Sequence, residues 1–249
     1  MDGILLIDKP SGWTSFDVVA KVRSLLRQAA SEKLKVESQK PEATLNFKNI
    51  PLSTRSPKVK VGHTGTLDPL ATGLLIIVIG SYCKRASEFS KLDKVYEVTM
   101  RLGQTSTTGD GEGEKTAISA GKPTKEALEA TLSHFTGDIM QTPPIYSAIK
   151  VGGQRAYKLA REGKEVKLEP RPVKVYSLQF TTYSYPEVKF TCKVSSGTYV
   201  RSLVEDIGKE LGIGAYMSGL RRTEVGDFSI KDARSVEVLS DIQTQLLTI

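Results

Sequence analysis

The sequence predicts an α+β fold in which a mixed, largely antiparallel sheet is flanked by helices. Three observations support this prediction. Apolar and polar residues alternate over residues 95–102, which is typical of a strand that buries one face. Two strand-like segments, residues 173–183 and 187–195, follow each other through a Tyr185-Pro186 turn. Strands and helices then occur without regular βα alternation, which argues against a doubly wound parallel sheet.

The first quarter of the chain combines a strand, a helix and a polar segment. Residues 4–7 are all apolar and predict a short strand. Thr14 or Ser15 can cap the helix that follows, whose apolar residues recur at helical spacing: Val18, Val19, Val22, Leu25 and Leu26. From about residue 28 to residue 60 no periodicity is sustained, so we expect an inserted loop that is partly disordered.

The remaining elements are read from apolar runs and from their boundaries. Residues 74–79 form a continuous apolar run between two glycines, which indicates a buried strand. Residues 103–123 are rich in Gly, Thr and Ser and predict a surface loop. Thr124 caps a helix that Gly137 closes. Further helices are predicted at residues 83–92, 154–162, 199–211 and 234–247, and a further strand at residues 215–223.

Composition excludes several classes of protein. The 249 residues contain no run of 18 apolar residues and no N-terminal secretory signal, so we expect a cytoplasmic protein without membrane segments. Cys83 and Cys192 are far apart in sequence, which fits a reducing compartment. With His63 and His134 as the only histidines, we expect neither a thiolate nor a histidine metal site.

The charge distribution points toward an anionic partner. The formal net charge is +7. Residues 21–60 contain ten basic residues against three acidic ones, and residues 150–174 contain eight against three. Each run taken alone fits an ordinary solvated face. Two such runs in one basic chain favour a polyphosphate ligand such as RNA.

One segment stands out as a candidate for chemistry. Residues 62–73 read GHTGTLDPLATG and hold a single carboxylate, Asp68, directly before Pro69. Proline fixes its own φ and biases the preceding residue toward an extended conformation, so the loop can mount this carboxylate rigidly before a buried strand. An ordinary Asp-Pro turn would look the same. The chain contains no phosphate-binding Gly-Lys-Ser/Thr motif and no GxGxxG motif.

The segment 62–73 resembles the catalytic loop of TruB-type pseudouridine synthases, which read GHTGxLDPxATG. Other segments resemble family motifs in the same order, and together they cover almost the whole chain outside residues 27–60. These segments are DKPSGWTS at 8–15, KVY at 94–96 with Leu-Gly at 102–103, PPIYSAIK at 143–150, GTYVR at 197–201 and LRRT at 220–223. The resemblance implies the pseudouridine synthase fold and isomerisation of uridine in the T-loop of tRNA, at position 55.

The resemblance also implies three catalytic residues. Asp68 matches the family's essential aspartate, and Arg201 matches the arginine that pairs with that aspartate. Tyr96 matches the tyrosine that stacks on the target base, although its apolar neighbours also fit a core aromatic residue. The carboxylate can add to C1′ as a nucleophile, stabilise positive charge there, or remove a sugar proton, and the residues do not choose among these.

Four further residues are implied to bind or support the substrate. His63 matches the histidine that helps to hold the flipped nucleotide, although a lone histidine is often structural. Lys9 is expected to support the active-site loop, and Tyr199 and Leu220 to line the pocket. No metal and no organic cofactor are expected, because isomerisation needs no redox step. The expected partner is the T-stem-loop of tRNA, bound by a monomer without an obligate protein partner.

The chain departs from the family pattern in three places. Residues 28–60 are longer and more polar than the usual link, and Ser106-Thr107 stands where Thr-Asp is common. No full C-terminal PUA domain is expected, so residues 1–249 are predicted to form one catalytic domain. Two alternatives stay open: a guide-RNA-dependent synthase of the dyskerin class, and a non-catalytic module that binds or folds tRNA.

Overall fold

The computed structural model describes residues 2–38, 59–239 and 246–247, without the side chains of residues 32–38. The described strands are β1 Gly3–Lys9, β2 Val61–His63, β3 Thr72–Ile79, β4 Lys94–Leu102, β5 Gln104–Ser106, β6 Lys115–Ala117, β7 Gly137–Gln141, β8 Lys150–Val151, β9 Gln154–Arg155, β10 Arg171–Ser184, β11 Glu187–Val194, β12 Ala215–Val225, β13 Phe228–Ser229 and β14 Arg234–Ser235. The α-helices are α1 Ser15–Ser38, α2 Ala86–Ser90, α3 Lys125–His134, α4 Ala156–Arg161 and α5 Val200–Glu210. Short 3₁₀ helices occupy Gly80–Arg85, Ile230–Asp232 and Val236–Val238.

The chain divides into two compact units. The first unit comprises Met1–Pro69, Leu75–Ser90 and Lys231–Ile249. The second comprises Leu70–Leu74 and Lys91–Ile230. Strand β3 therefore begins in the second unit and continues in the first.

The first unit is built on β1, the later part of β3 and helix α1. Strand β1 pairs in parallel with β14, placing Ile7 opposite Arg234, and β2 pairs antiparallel with β3, placing Val61 opposite Ile79. The apolar residues that the sequence analysis assigned to β1, α1 and β3 are almost entirely buried. The most completely buried are Ile4, Ile7, Val18, Val22, Leu26, Leu75, Ile77 and Ile79.

The second unit carries the antiparallel part of the structure. Its strands follow the order β12-β4-β11-β10-β7, and each neighbouring pair is antiparallel. The start of β3 adds a parallel pair, with Thr72 opposite Arg221. Gly73 has a φ of +101°, and a Cβ there would lie 2.3 Å from the carbonyl oxygen of Arg222, so this pairing requires glycine. The predicted α+β class with a largely antiparallel sheet is confirmed.

Helix α1 is longer than the sequence analysis predicted. It continues to Ser38, so the prediction of a loop is wrong for residues 28–38. Good helix formers dominate this stretch, and their intrinsic propensity extends the helix although the apolar period has ended. Of the rest of the predicted insertion, residues 39–58 lie outside the described residues, and residues 59–60 belong to no helix or strand.

Two other predictions are wrong, because the elements that form there leave no clear pattern in the local sequence. The segment 103–123, predicted as a loop, contains the β5–β6 hairpin, with Thr105 opposite Thr116. The terminal helix predicted from residue 234 is wrong for its described part, because residues 234–235 form β14 and a 3₁₀ turn follows. Strand β14 depends on pairing with β1, which lies more than two hundred residues earlier and leaves no mark on the local sequence.

Candidate active site

Asp68 lies, half-buried, in the loop between β2 and β3 of the first unit. The residue before it, Leu67, is fixed by Ser15 at the start of α1. The Ser15 hydroxyl donates to the Leu67 carbonyl at 3.1 Å and accepts from the Leu67 N–H at 2.9 Å. Both Ser15 and Leu67 are buried, so these hydrogen bonds hold one side of the Asp68 backbone away from competing water.

The residue after Asp68 is fixed by the turn that follows β1. Lys9 is completely buried, and its ammonium donates to the carbonyls of Pro10 at 2.9 Å, Trp13 at 2.6 Å and Pro69 at 3.3 Å. The backbone N–H of Gly12 also donates to the Pro69 carbonyl, at 2.9 Å. The carboxylate of Asp68 is therefore mounted on a backbone held from both sides by residues 9–15.

His63 ends β2, opposite Ile77 of β3. Its ring meets the ring of Phe16 edge to face, with centroids 5.3 Å apart and an interplanar angle of 86°. Phe16 is 73% exposed, which is unusual for so large an apolar side chain on the first turn of a helix. The sequence did not predict a role for Phe16, because one apolar residue next to a helix cap forms no distinctive pattern.

Arg201 is the second residue of α5 in the second unit and is almost fully buried. Its guanidinium donates to the carbonyls of Thr108 at 3.2 Å and Tyr146 at 3.0 Å. It also lies 3.6 Å from the carboxylate of Asp110, whose side chain is equally buried. Arg201 thus joins α5 to two loops that are distant in sequence.

Asp110 is held in place for this ion pair. Its carboxylate accepts from the Thr108 hydroxyl at 2.5 Å and from the Glu112 N–H at 3.0 Å. Asp110 belongs to the segment predicted as a surface loop, for which no role of this residue was predicted. The one available signal was an acidic residue amid Gly, Thr and Ser, which is also typical of a turn.

Tyr96 and Leu220 lie on adjacent strands of the second unit. Tyr96 of β4 is opposite Arg222 of β12, and Leu220 of β12 is opposite Val98 of β4. Because side chains alternate along a strand, Tyr96 and Leu220 belong to the same face. Tyr96 is 8% exposed, and Leu220 also borders a cleft of about 390 Å³ on this unit.

Tyr199 immediately precedes α5. Its backbone N–H donates to the side-chain oxygen of Gln141 at 2.8 Å, and its carbonyl accepts from the side-chain nitrogen of the same residue at 3.0 Å. Gln141 ends β7 and is 2% exposed. The start of α5, and with it Arg201, is therefore fixed to β7 by both groups of one amide.

Two half-buried acids and one buried lysine have displaced pKa values in the second unit. Burial, followed by the neighbouring Asp206 carboxylate, raises the pKa of Glu205. Burial likewise raises the pKa of Asp206. Burial and then the Arg222 guanidinium lower the pKa of Lys94 to about 8.

The predicted site residues therefore fall into two groups. Asp68, His63 and Lys9 belong to the first unit, whereas Tyr96, Tyr199, Arg201 and Leu220 belong to the second. The pairing of Asp68 with Arg201 stays a prediction. Among the described residues no group of three His, Cys, Asp or Glu side chains is arranged to hold a metal ion. No helix in the described ranges is long and apolar enough to cross a membrane.

Family models match most of the chain. A model of the TruB family pseudouridylate synthase N-terminal domain matches residues 52–200. A model of the tRNA pseudouridylate synthase B C-terminal domain matches residues 201–247. The two matched ranges adjoin between Val200 and Arg201, at the start of α5.

Curated relatives and a solved structure agree with these models. A tRNA pseudouridine synthase B of Aquifex aeolicus is 42% identical over 239 residues, which cover 95% of this chain and 73% of the relative. One of Parabacteroides distasonis is 41% identical, with 97% of this chain and 93% of the relative covered. A chain in the crystal structure of a Cbf5-Nop10-Gar1 complex is 27% identical, with a TM-score of 0.66. The match covers 96% of the present chain, which spans about half the length of that solved chain.

Proposed function

The chain belongs to the TruB family of pseudouridylate synthases, and on this premise we propose that Asp68 is its catalytic carboxylate and the T-loop uridine at position 55 of tRNA its target. The enzyme isomerises uridine to pseudouridine in tRNA. The observation that carries the proposal for Asp68 is that its backbone is fixed on both sides. Ser15 holds Leu67 and Lys9 holds Pro69, so this one acidic side chain projects from a loop that is anchored on both sides.

The reaction needs a fixed carboxylate. The C1′–N1 glycosidic bond breaks, the freed uracil turns, and C1′ joins C5. C5 then loses its proton and N1 gains one, so no atoms are added or lost overall. A carboxylate of ordinary acidity is ionised at neutral pH. It can add to C1′, stabilise positive charge there, or take a sugar proton, and each role requires the orientation that the two anchors provide.

The other predicted residues take supporting roles in this proposal. Tyr96 stacks on the target base, Arg201 supplies positive charge to the Asp68 carboxylate, and His63 helps to hold the flipped nucleotide. Lys9 keeps the Asp68 loop in place, while Tyr199 and Leu220 line the base pocket. The burial of Arg201 and its bonds to Thr108 and Tyr146 support a fixed guanidinium rather than a mobile surface charge.

The target uridine must leave its stack to reach such a site. Enzymes that act on a base extrude it into a pocket and stack it on an aromatic ring. The two basic runs, residues 21–60 and 150–174, would contact phosphates and supply affinity without sequence information. We propose that the enzyme acts in the cytoplasm as a monomer, on tRNA alone.

Two other functions were considered. A guide-RNA-dependent synthase is less well supported, because the relatives named tRNA pseudouridine synthase B are about 40% identical, against 27% for the chain of the Cbf5-Nop10-Gar1 complex. A non-catalytic tRNA-binding module would have no need for a carboxylate fixed on both sides. Product formation separates the enzyme from both alternatives.

The test uses the purified chain alone on an unmodified tRNA transcript. Release of tritium from C5-labelled uridine measures turnover, and chemical mapping locates the product. We expect one pseudouridine, at position 55, without guide RNA or protein partner. Asp68→Asn should fold normally and lose at least about a thousandfold in kcat, on the order of 4 kcal/mol of barrier. Appreciable turnover by the folded variant would contradict the role of Asp68.

A further inference from the structure

A second cavity lies beside Arg201 and is separate from the residues assigned so far. It encloses about 320 Å³ within the second unit. Its walls are residues 107–108, residues 142–146, and Ser202, Glu205 and Asp206 on α5. This volume is at the lower end of those of small-molecule and base pockets.

The cavity is held open by the first turn of α5. Arg201 donates to the carbonyls of Thr108 and Tyr146, which belong to two different walls. Ser202 donates to the carbonyl of Thr142 at 2.9 Å. Pro143 and Pro144 stiffen the same wall, since each proline fixes its φ. The pocket is therefore preformed, which lowers the ordering cost of binding a ligand.

The chemistry of the lining selects a type of ligand. Tyr146 and the two prolines offer flat apolar surface, while Glu205 and Asp206 offer carboxylate oxygens. Neither carboxylate accepts a hydrogen bond from any residue that the structure describes. Burial raises the pKa of both, as expected for acids removed from water without a dedicated donor. The pocket thus combines a stacking surface with carboxylate acceptors to which no described residue donates.

We propose that this cavity binds an unpaired base of the substrate RNA that carries an exocyclic amino group. The inference rests on the proposed function, because that function brings an unstacked RNA loop to α5. Cytosine, adenine and guanine present amino hydrogens to a carboxylate, whereas uracil has no amino group and offers a single N3–H between two carbonyl oxygens that a carboxylate repels. Bases that leave the stack in RNA loops are read in this way, by stacking and by their polar edges. The negative charge of the pocket also keeps phosphates out and admits only the base.

The experiment measures binding, so it does not depend on turnover. Asp68→Asn protein is titrated with a T-stem-loop RNA in which each unpaired loop nucleotide is replaced in turn by an abasic one. We expect one position, other than the target uridine, at which base removal raises Kd about tenfold. Uracil at that position should bind as weakly as the abasic nucleotide. If no such position exists, the proposal is overturned.

A variant then assigns that position to the pocket. Glu205→Gln with Asp206→Asn converts the acceptors partly into amide donors, so the discrimination against uracil should disappear and the abasic RNA should lose little further affinity. Glu210→Gln, an exposed carboxylate on the same helix, is the matched control and should keep full discrimination. Persistence of the tenfold loss in the double variant would overturn the proposal. If the double variant does not fold, Asp206→Asn alone serves the same comparison.

Failure of this proposal is distinguishable from failure of the proposed function. If the wild-type protein binds with the predicted discrimination but forms no pseudouridine, the pocket stands and the catalytic assignment falls. If pseudouridine forms but no loop base depends on Glu205 and Asp206, the catalytic assignment stands and the pocket is wrong.

Discussion

The ammonium of Lys9 and the carbonyl of Pro69 are 3.3 Å apart, although 60 positions separate the two residues in the chain. This contact ties the residue after Asp68 to the end of β1. Two more carbonyls, of Pro10 and Trp13, share the same buried ammonium. One side chain therefore holds together the two segments that form the support of the proposed catalytic loop.

Replacing this side chain should affect both stability and turnover. Lys9→Met keeps most of the apolar stem but leaves three carbonyls without their charged donor. We expect the free energy of unfolding to fall by about 3 kcal/mol and kcat to fall at least tenfold in protein that is still folded. Chemical denaturation and single-turnover kinetics measure the two effects. Lys84→Met, an exposed change in the first unit outside both basic runs, is the control and should alter neither. A folded Lys9→Met enzyme with normal kcat would contradict the anchoring role.

The ion pair between Arg201 and Asp110 leads to a second prediction. Asp110→Asn can still accept from Thr108 and the Glu112 N–H but leaves the buried guanidinium without its counter-charge. We expect kcat to fall about tenfold to a hundredfold with little change in KM, because Arg201 loses its fixed orientation. Steady-state kinetics on tRNA measure this, with the exposed Asp138→Asn as control. A raised KM with unchanged kcat would show that the pair serves binding instead.

Phe16 gives a third prediction. Its ring is 73% exposed and contacts His63, so it offers a stacking surface on the same unit as Asp68. Phe16→Ala should leave thermal stability almost unchanged and weaken RNA binding by about 1 to 2 kcal/mol, the usual size of a base–aromatic stack. Phe16→Tyr should bind normally. Equal Kd values for the wild-type and Ala proteins, measured by fluorescence anisotropy, would exclude a stacking role.

Lys94 makes stability depend on pH in a defined window. Burial, aided by Arg222, lowers the pKa of Lys94 to about 8, whereas a lysine in the unfolded chain titrates near pH 10.4. Between these values the unfolded chain binds more protons, so the free energy of unfolding gains from this residue as pH rises. Lys94→Met should remove this gain, so the change in the free energy of unfolding from pH 7 to pH 10 should be less positive in the variant than in the wild type. Denaturation curves of both proteins at both pH values measure it, and parallel pH profiles would contradict the assignment.

Local patterns in the sequence were sufficient for most elements of the second unit. The alternation at residues 95–102 corresponds to β4, and the apolar spacing after Tyr199 corresponds to α5, which ends before Gly212 as predicted. Thr124 caps α3 by accepting from the Ala127 N–H at 3.2 Å. Each of these signals lies within the element that it predicts or next to it in the sequence.

The missed features depend on contacts between distant residues. Strand β14 exists because residues 234–235 pair with β1, and no local pattern distinguishes them from a helix start. Asp110 gains its importance from Arg201, ninety residues later in the chain. Asp68 itself was identified by its resemblance to the family motif. The local sequence of an Asp-Pro turn does not show that Lys9 and Ser15 anchor it.

The parallel pairing of β1 with β14, together with the bridge between Ile4 and Leu247, has a consequence for synthesis on the ribosome. The ribosome synthesises β1, which leads into the support of the Asp68 loop, before it synthesises β14, which pairs with β1. The whole second unit is translated before residues 234–235 and Leu247 can pair with β1. Non-local pairing of this kind is slow to form. The first unit therefore completes its sheet only after the second unit has been translated. Until then, the edge of β1 that pairs with β14 stays uncovered.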